Sequence, residues 1–322
     1  MTGAGRFDVI VIGEILVELA SESPFRAGAD VRLGVSGDVV NAAAAAVASG
    51  ARTAVLARIA DDELGDVIEQ RLGELGIDLG LLRRVPGQQA AYFVHADPKG
   101  TREFVYLRRG SAGSTLSPED VVAAGVEDAG VVLTSGITWA LSESARAAAE
   151  EAARRAQTFV YDPNFRPRLT DEKAASDALR ALAPHAAVVT PAAPTETQAL
   201  VGTSDPRAAA DSVRALGADS VVVTRGADGC ILVDDDGAWE IPAVPPPSLV
   251  DQTGAGDSLA GTLAARLALG DPLVEAVRLG TAAASLALGG RGGTGLVPEL
   301  AEIRRHLEEA REPTLLTGVV AT

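Results

Sequence analysis

The sequence predicts an α/β fold with a mostly parallel central sheet, and three observations support this prediction. Short apolar runs rich in β-branched residues alternate along the chain with longer Ala- and Leu-rich segments of helical periodicity. The apolar runs are continuous, which is typical of strands buried on both faces. The chain has 322 residues, of which 47% are hydrophobic, so a large core can form. We therefore expect a single domain over residues 1–322, with helices on both faces of the sheet.

The predicted elements follow one another in a regular order. The strands lie at residues 8–12, 53–57, 131–134, 158–161, 187–190, 220–224 and 230–233. The helices lie at residues 39–49, 64–75, 142–155, 171–182, 206–216, 256–269, 272–288 and 298–309. Most strands are thus followed by a helix, as in the crossover connections that join parallel strands.

Two segments, at approximately residues 16–35 and 90–107, interrupt this alternation. The second has alternating apolar residues on both sides of an Asp-Pro-Lys-Gly turn at 97–100, which predicts a β-hairpin. The simplest alternative is a hairpin at the edge of the main sheet.

Charge and cysteine content argue against several classes of function. The chain has 44 acidic and 28 basic residues and a net charge of −16, which disfavours nucleic acid and an anionic membrane as partners. We find neither a membrane span nor a signal peptide in the sequence. Cys230 is the only cysteine, so no intramolecular disulfide can form and a reducing, cytoplasmic location is expected.

The most informative motif is a small-residue turn that opens the helix predicted from residue 256. Gly254, Ala255 and Gly256 place no bulky side chain in the way of an approaching phosphate. The first N–H groups of a helix lack partners within it, and they attract an anion. Asp257 follows directly and is placed to take a proton from a hydroxyl beside that anion. An ordinary glycine-rich loop capped by an acid is the alternative.

The run 251–257, D-x-T-G-A-G-D, resembles the signature of the ribokinase-like (PfkB) carbohydrate kinases. The resemblance implies a three-layer α/β/α sandwich, with a small β-sheet lid formed by residues 16–35 and 90–107. It also implies that Asp257 is the catalytic base, that the amides of residues 254–256 form an anion hole, and that Thr253, Gly254 and Gly256 contact ATP. The implied cofactors are ATP and Mg²⁺, with a monovalent cation such as K⁺ left open. The implied assembly is a homodimer through the lid or a higher homo-oligomer.

A second motif, S-G-D-V-V-N at 36–41, resembles the G-G-x-x-x-N sugar-binding element of that family, with serine in place of the first glycine. The resemblance implies that Ser36, Gly37, Asp38 and Asn41 contact the sugar. The alternative is that Asp38 simply caps a helix.

The segments Y-L-R-R-G-S-A at 106–112 and D-P-N-F-R at 162–166 resemble the 2-keto-3-deoxygluconate kinase branch of the family. By this resemblance, Tyr92, Tyr106 and Arg108 face a sugar acid. A guanidinium can hold a carboxylate through two parallel hydrogen bonds, and a neutral sugar does not need one. Arg166 follows a predicted strand end, where it could hold the carboxylate or the phosphate.

The nucleotide site is predicted at a turn between two strands. The residues Thr224, Arg225, Gly226, Asp228 and Gly229 resemble the family segment that holds ATP, although a plain β-turn fits the same pattern.

Two further features concern the adenine and the metal. The glycine-rich run 292–295 is predicted to wall the adenine. Family members have an N-x-x-E element that organises Mg²⁺ and phosphate through water. Here Ala193 replaces the Asn and only Glu196 remains, so an indirect metal role is assigned to Glu196 alone.

The resulting hypothesis is an in-line transfer of the γ-phosphate of ATP to a primary hydroxyl, from 2-keto-3-deoxygluconate to its 6-phosphate, with Asp257 as the base. A low pKa is expected for Asp257, because a helix N-terminus favours negative charge. A kinase for a neutral sugar such as fructose or ribose, or for a nucleoside, is the alternative, and a non-catalytic sugar-responsive regulator is a more distant one. A P-loop kinase is disfavoured because no lysine follows the required glycines.

Overall fold

The computed structural model describes residues 6–96, 102–308 and 310–316. Its strands are β1 (Val9–Ile12), β2 (Leu16–Ser21), β3 (Arg32–Ser36), β4 (Thr53–Ala60), β5 (Leu82–Val85), β6 (Ala91–Ala96), β7 (Arg102–Leu107), β8 (Val131–Ser135), β9 (Phe159–Asp162), β10 (Val188–Val189), β11 (Ser220–Thr224), β12 (Cys230–Asp234), β13 (Gly237–Ile241) and β14 (Thr314–Leu315).

Eight of the helices in the described residues begin and end within two residues of the predicted positions, and the three short ones, at 118–124, 136–140 and 195–201, were not predicted. The helices are α1 (Asp38–Ala48), α2 (Glu63–Glu74), α3 (Pro118–Ala124), α4 (Gly136–Ala140), α5 (Glu143–Arg155), α6 (Glu172–Leu182), α7 (Thr195–Val201), α8 (Pro206–Arg214), α9 (Ala255–Ala268), α10 (Leu273–Ala287) and α11 (Leu300–Leu307). Side chains that accept hydrogen bonds from first-turn N–H groups fix four of the starts: Asp62 for α2, Ser142 for α5, Asp171 for α6 and Asp205 for α8.

A ten-stranded sheet forms the middle layer, in the order β14-β13-β12-β11-β10-β9-β8-β1-β4-β5. All neighbours from β11 to β5 pair in parallel, whereas β12, β13 and β14 are antiparallel to their neighbours. The carboxyl ends of β1, β8, β9, β10 and β11 therefore lie along one edge, which is where ligands bind in open α/β sheets.

Side chains that alternate along the strands build a core on each face of the sheet. Ile10 and Ile12 pack on the face covered by α3, α4, α5, α6, α7 and α8. Val9 and Val11 pack on the opposite face, which α1, α2, α9 and α10 cover. The predicted three-layer α/β/α sandwich is confirmed. The assignment of residues 1–322 to one domain stays a prediction.

The two interrupting segments form a separate four-stranded sheet in the order β3-β2-β6-β7. Strand β2 pairs antiparallel with β3 and parallel with β6, and β6 pairs antiparallel with β7. The alternative of a hairpin on the edge of the main sheet is wrong. The turn predicted at 97–100 lies outside the described residues. Within the described ranges we find no helix whose length and apolar character would let it cross a membrane.

Candidate active site

The predicted anion-binding turn lies at the start of α9. Gly254 adopts φ +82°, a conformation that favours glycine, and α9 begins at the next residue. A Cβ atom on Gly254 would lie 2.6 Å from the Gly293 Cα atom, so two glycine-rich turns pack backbone to backbone. The Asp251 carboxylate joins these turns, because it accepts hydrogen bonds from the Thr253 N–H at 2.8 Å and the Gly292 N–H at 2.7 Å.

Asp257 projects from the first turn of α9, and a carboxamide donates to each of its oxygens. Asn41 Nδ2 donates to Oδ2 at 2.8 Å, and Asn164 Nδ2 donates to Oδ1 at 3.4 Å. Burial, and next the negative charge of Asp38, raise the pKa of Asp257 to about 6, against the lowering effects of Asn41, Arg166 and Asn164. The low pKa expected from the helix terminus is therefore wrong, because burial and the Asp38 charge outweigh the contacts that lower the pKa.

Two more carboxylates lie close to Asp257. A small cavity is lined by Asp38, Ser135, Asp162 and Asp257, among other residues. The Ser135 hydroxyl donates to Asp38. Burial raises the pKa of Asp162 well above its ordinary value, and the charges of Glu196 and Asp257 raise it further. Motif matching included Asp162 but gave it no role, and it missed Ser135.

Close packing of α1 against α9 places Asn41 beside Asp257. A Cβ atom on Gly261 would lie 2.0 Å from the Ala42 carbonyl oxygen, so the two helix backbones touch at this point. Asn41 is buried, and its Oδ1 atom has no hydrogen-bond partner among the described residues. Asn41 thus contacts the predicted base directly, while its predicted contact with sugar stays a prediction.

The lid sheet contributes a second group of predicted residues. The Tyr92 hydroxyl donates to the Glu18 carboxylate and lies 3.0 Å from the Ser36 Oγ atom. Burial and the Glu18 charge raise the pKa of Tyr92. The Tyr106 ring centroid lies 5.8 Å from that of Tyr92. Motif matching assigned no role to Glu18.

A groove runs between the lid strand β3 and the run 292–295. Its lining includes Glu18, Ser36 and Arg71, and Arg71 Nη2 approaches the Thr294 carbonyl oxygen at 3.4 Å. The run 292–295 was predicted to wall the adenine. The structure places it in this groove, beside the lid and the Gly254 turn.

Arg108, predicted to hold a substrate carboxylate, contacts a carboxylate of the chain itself. Its Nε and Nη2 atoms lie 2.9 and 2.6 Å from the Glu14 Oε2 atom, and the Ser111 hydroxyl donates to Oε1. Glu14 is fully buried, which raises its pKa, while Arg108 and Ser111 oppose the rise. Motif matching missed Glu14, which follows β1 after a single glycine. A substrate role for Arg108 stays a prediction.

Arg166 is exposed, in the loop that joins β9 to α6. Its Nη1 atom donates to the Phe165 carbonyl oxygen at 3.3 Å, and its charge lowers the pKa of Asp257. Arg166 is therefore accessible at the strand edge where the base lies, and its predicted contact with the carboxylate or the phosphate stays a prediction.

The predicted nucleotide turn joins β11 to β12 as a short 3₁₀ turn at Gly226–Asp228. The Arg225 N–H donates to the Gly229 carbonyl oxygen at 2.7 Å, and Arg225 Nη2 pairs with Glu240 at 2.9 Å. A Cβ atom on Gly229 would lie 2.1 Å from the Ile241 carbonyl oxygen, so this glycine is needed for packing. The turn and Thr224 lie at the carboxyl end of β11; ATP binding there stays a prediction.

The described residues do not form a direct magnesium site around Glu196. Both of its carboxylate oxygens accept backbone N–H groups, from Phe165 and Ala192. In residues 6–96, 102–308 and 310–316, no group of three His, Cys, Asp or Glu side chains is arranged to hold a metal ion. The indirect metal role expected for Glu196 has no support from its contacts.

Comparisons with known proteins agree with this architecture. The family model described as "pfkB family carbohydrate kinase" matches residues 6–300. The 2-dehydro-3-deoxygluconokinase of Thermoproteus tenax is 34% identical over 306 residues, which cover 93% of this chain and 94% of that protein.

Two solved structures share the fold. A PfkB protein from Polaromonas sp. JS666 superposes with a TM-score of 0.83 at 26% identity, covering 93% of this chain and 99% of that one. A putative ribokinase II from E. coli in complex with ATP and Mg²⁺ also superposes with a TM-score of 0.83, at 24% identity, covering 94% and 99% of the two chains. The chain therefore belongs to the pfkB family of carbohydrate kinases, which are phosphotransferases acting on an alcohol group.

Proposed function

We propose that this kinase transfers the γ-phosphate of ATP to the primary hydroxyl of a sugar acid. The proposed substrate is 2-dehydro-3-deoxygluconate, also called 2-keto-3-deoxygluconate, and the product is its 6-phosphate. The observation that supports the chemistry most directly is the buried Asp257 carboxylate at the α9 terminus, with a pKa of about 6. The name of the relative from Thermoproteus tenax supports the choice of substrate.

The mechanism follows from the position of Asp257. Above a pH of about 6 its carboxylate is ionised and can accept the proton of the primary hydroxyl as that oxygen attacks the γ-phosphorus. The bond between the γ-phosphorus and the β,γ-bridging oxygen breaks, and ADP leaves. The Gly256 N–H, in the first turn of α9, is proposed to face the developing negative charge, whereas the Ala255 N–H lies 3.5 Å from the Gln252 carbonyl oxygen. Asn41 and Asn164 hold the carboxylate in one orientation.

ATP is proposed to bind from the turn at 224–229 toward the Gly254 turn. Both turns follow the carboxyl edge of the sheet, and a structural neighbour binds ATP with Mg²⁺. Mg²⁺ accompanies ATP and neutralises charge on its phosphates. A monovalent cation such as K⁺ remains an additional proposal.

The carboxylate of the sugar acid is proposed to meet Arg166, with Arg108 as the second candidate. Arg166 is exposed and lies close enough to influence Asp257 electrostatically. Arg108 already pairs with Glu14 and is therefore less available to a substrate carboxylate, which favours a second candidate function. If neither arginine serves a substrate carboxylate, the enzyme is a kinase for a neutral sugar such as fructose or ribose.

A coupled ADP-release assay with Mg·ATP tests the substrate. We expect a higher kcat/KM for 2-dehydro-3-deoxygluconate than for fructose, ribose or adenosine. A preference for fructose or ribose would leave the chemistry of Asp257 intact and refute the sugar-acid substrate. The absence of turnover with every compound would favour a sugar-responsive regulator.

The lid is proposed to pair with the lid of a second copy. One face of the small sheet carries a row of apolar side chains, one from each strand. In the order β3, β2, β6 and β7, they are Leu33, Leu19, Phe93 and Val105. Leu33 is 44% exposed and Val105 is 53% exposed. A second copy would cover this apolar row. We propose that the enzyme works in the cytoplasm, where its one thiol, on the buried Cys230, stays reduced.

A further inference from the structure

The contacts of Glu196 connect it to the segment that holds the base. Its Oε1 atom accepts the Phe165 N–H. The preceding residue, Asn164, has a φ of +43°, and its own N–H donates to Asp162 Oδ1 at 3.1 Å. Asparagine adopts this left-handed conformation more readily than most residues, and it directs the chain so that Asn164 and Phe165 contact different carboxylates. The side chain of Asn164 then donates to Asp257.

The other oxygen of Glu196 connects it to the nucleotide side of the sheet. Its Oε2 atom accepts the Ala192 N–H at 2.6 Å. Ala192 belongs to the turn 191–194, which hydrogen-bonds twice to the end of β11. Thr224 donates its N–H to the Pro191 carbonyl oxygen at 2.9 Å, and its own carbonyl oxygen accepts the Ala193 N–H at 2.8 Å.

We infer that Glu196 is a positioning residue that joins the nucleotide-side turn 191–194 to Asn164 and, through it, to Asp257. This inference rests on the proposed kinase function. It replaces the metal role, for which the contacts of Glu196 give no support. The sequence agrees, because Ala193 also removes the second side chain of the metal-organising element.

Loss of Glu196 should impair the orientation of the base. Its two charge-assisted hydrogen bonds fix two backbone segments at once, and the side chain is only 9% exposed. When the segment at Phe165 moves, the neighbouring Asn164 no longer orients the base. A displacement of 1 Å costs a rate factor of about 10² in well-ordered active sites. A positioning residue therefore lowers kcat without changing the Mg²⁺ requirement.

Glu196→Gln tests this, because glutamine keeps the size and one acceptor but places an NH₂ group against a backbone N–H. We expect kcat to fall by about 10- to 100-fold, while the Mg²⁺ concentration for half-maximal rate changes by less than about two-fold. A rise of that concentration by about ten-fold, with kcat restored at saturating Mg²⁺, would identify a metal ligand and overturn the inference. Glu151→Gln, on α5 and paired with Arg154 and Arg155, is the matched control and should match the wild type.

Hydrogen exchange on the ligand-free protein separates this inference from the proposed function. In Glu196→Gln, we expect the amides of Phe165 and Ala192 to exchange about ten-fold faster without nucleotide or Mg²⁺. Unchanged exchange would overturn the inference even if the enzyme is an active sugar-acid kinase. Faster exchange in a protein with no kinase activity would leave the contact network intact and refute only the function.

A double-mutant cycle tests whether Glu196 acts through Asn164. Asn164→Ala removes the contact with Asp257 and should lower kcat to a similar extent. Because both residues act along one line of contacts, the double variant should be no slower than the slower single variant. Additive losses would show that Glu196 acts independently of Asn164 and would contradict the inference.

Discussion

The ionisation of Asp257 determines how the reaction responds to pH. Its pKa is raised to about 6, chiefly by burial, and only the ionised carboxylate can accept the proton of the hydroxyl. We therefore expect kcat/KM to fall as the pH decreases through about 6, about two pH units above the fall expected for an unperturbed aspartate. A pH–rate profile with Mg·ATP measures this limb. Activity that persists unchanged to pH 4.5, about where an ordinary carboxylate still ionises, would contradict the raised pKa.

The pair formed by Arg108 and Glu14 has consequences for stability. Glu14 is fully buried and the Arg108 side chain is 13% exposed, so Arg108→Ala leaves a buried carboxylate without its partner. We expect the free energy of unfolding to fall by about 3 kcal/mol, as measured by denaturant titration. Glu14→Gln in the same chain should recover part of this loss, because an amide costs less to bury than a charge.

A control variant and a comparison of KM values separate this structural effect from substrate binding. Arg207→Ala breaks a more exposed pair with Asp211 and should cost less than about 1 kcal/mol. If Arg108 also holds the substrate carboxylate, its loss should raise KM for the sugar acid far more than KM for ATP. Equal changes in both constants would limit Arg108 to its contact with Glu14.

Individual residues were predictable where a motif fixes them and not where a distant partner does. The placement of Asp257, Gly254 and Asn41 around one point agrees with their motifs. The pairing of Glu14 with Arg108 joins residues 94 positions apart, and local patterns do not encode such a contact. The expectation of a low pKa for Asp257 was wrong for the same reason, because burial depends on the whole fold.

At the level of elements, the contact between α1 and α9 brings Asn41 to Asp257. Gly261→Ala would place a methyl group 2.0 Å from the Ala42 carbonyl oxygen and push the helices apart. We expect a loss of about 2 kcal/mol in stability and about ten-fold in kcat, measured by denaturant unfolding and the ADP-release assay.

Gly73→Ala provides the matched control within a helix. A Cβ atom at Gly73 of α2 meets no atom within 4 Å, so alanine should stabilise the helix by about 0.5 kcal/mol and leave kcat unchanged. A Gly261→Ala variant that behaves like Gly73→Ala would show that the close helix contact does not position the base.

The long helices were predictable, and the short helices were not. Helices with a clear apolar period and a capping side chain, such as α5 and α8, begin within one residue of their predicted starts. The helices α3, α4 and α7 have only 7, 5 and 7 residues, too few to display a period. Packing against the sheet stabilises such elements, and a local pattern does not contain that information.

At the scale of the whole molecule, the apolar face of the lid predicts self-association. Val105→Glu places a charge in the exposed row and should convert a dimer to a monomer, as measured by size-exclusion chromatography with light scattering. Val122→Glu, at a position 48% exposed on α3, should leave the dimer intact. A monomeric wild type, or a Val105→Glu variant that remains dimeric, would contradict pairing through the lid.

The sandwich was predictable as a whole from the alternation of strands and helices. The two interruptions are visible in the sequence, but only the family resemblance predicted that they form a separate lid sheet. The antiparallel edge of the main sheet was not fully visible. Strand β13 has the mixed sequence G-A-W-E-I, and β14 has only two residues. Both strands join the sheet by pairing with a neighbour, so the local sequence does not identify them.

The turnover of Asp257→Asn with Mg·ATP and the best sugar acid tests most directly whether Asp257 is the catalytic base. We expect kcat to fall by about 10³-fold, because the base is lost. We also expect the variant to stay folded at pH 8. Its amide places an NH₂ group near one of the two carboxamide donors, but it also removes a buried charge whose ionisation opposes folding above a pH of about 6. A folded Asp257→Asn enzyme with near-wild-type turnover would contradict the assignment of Asp257 as the base.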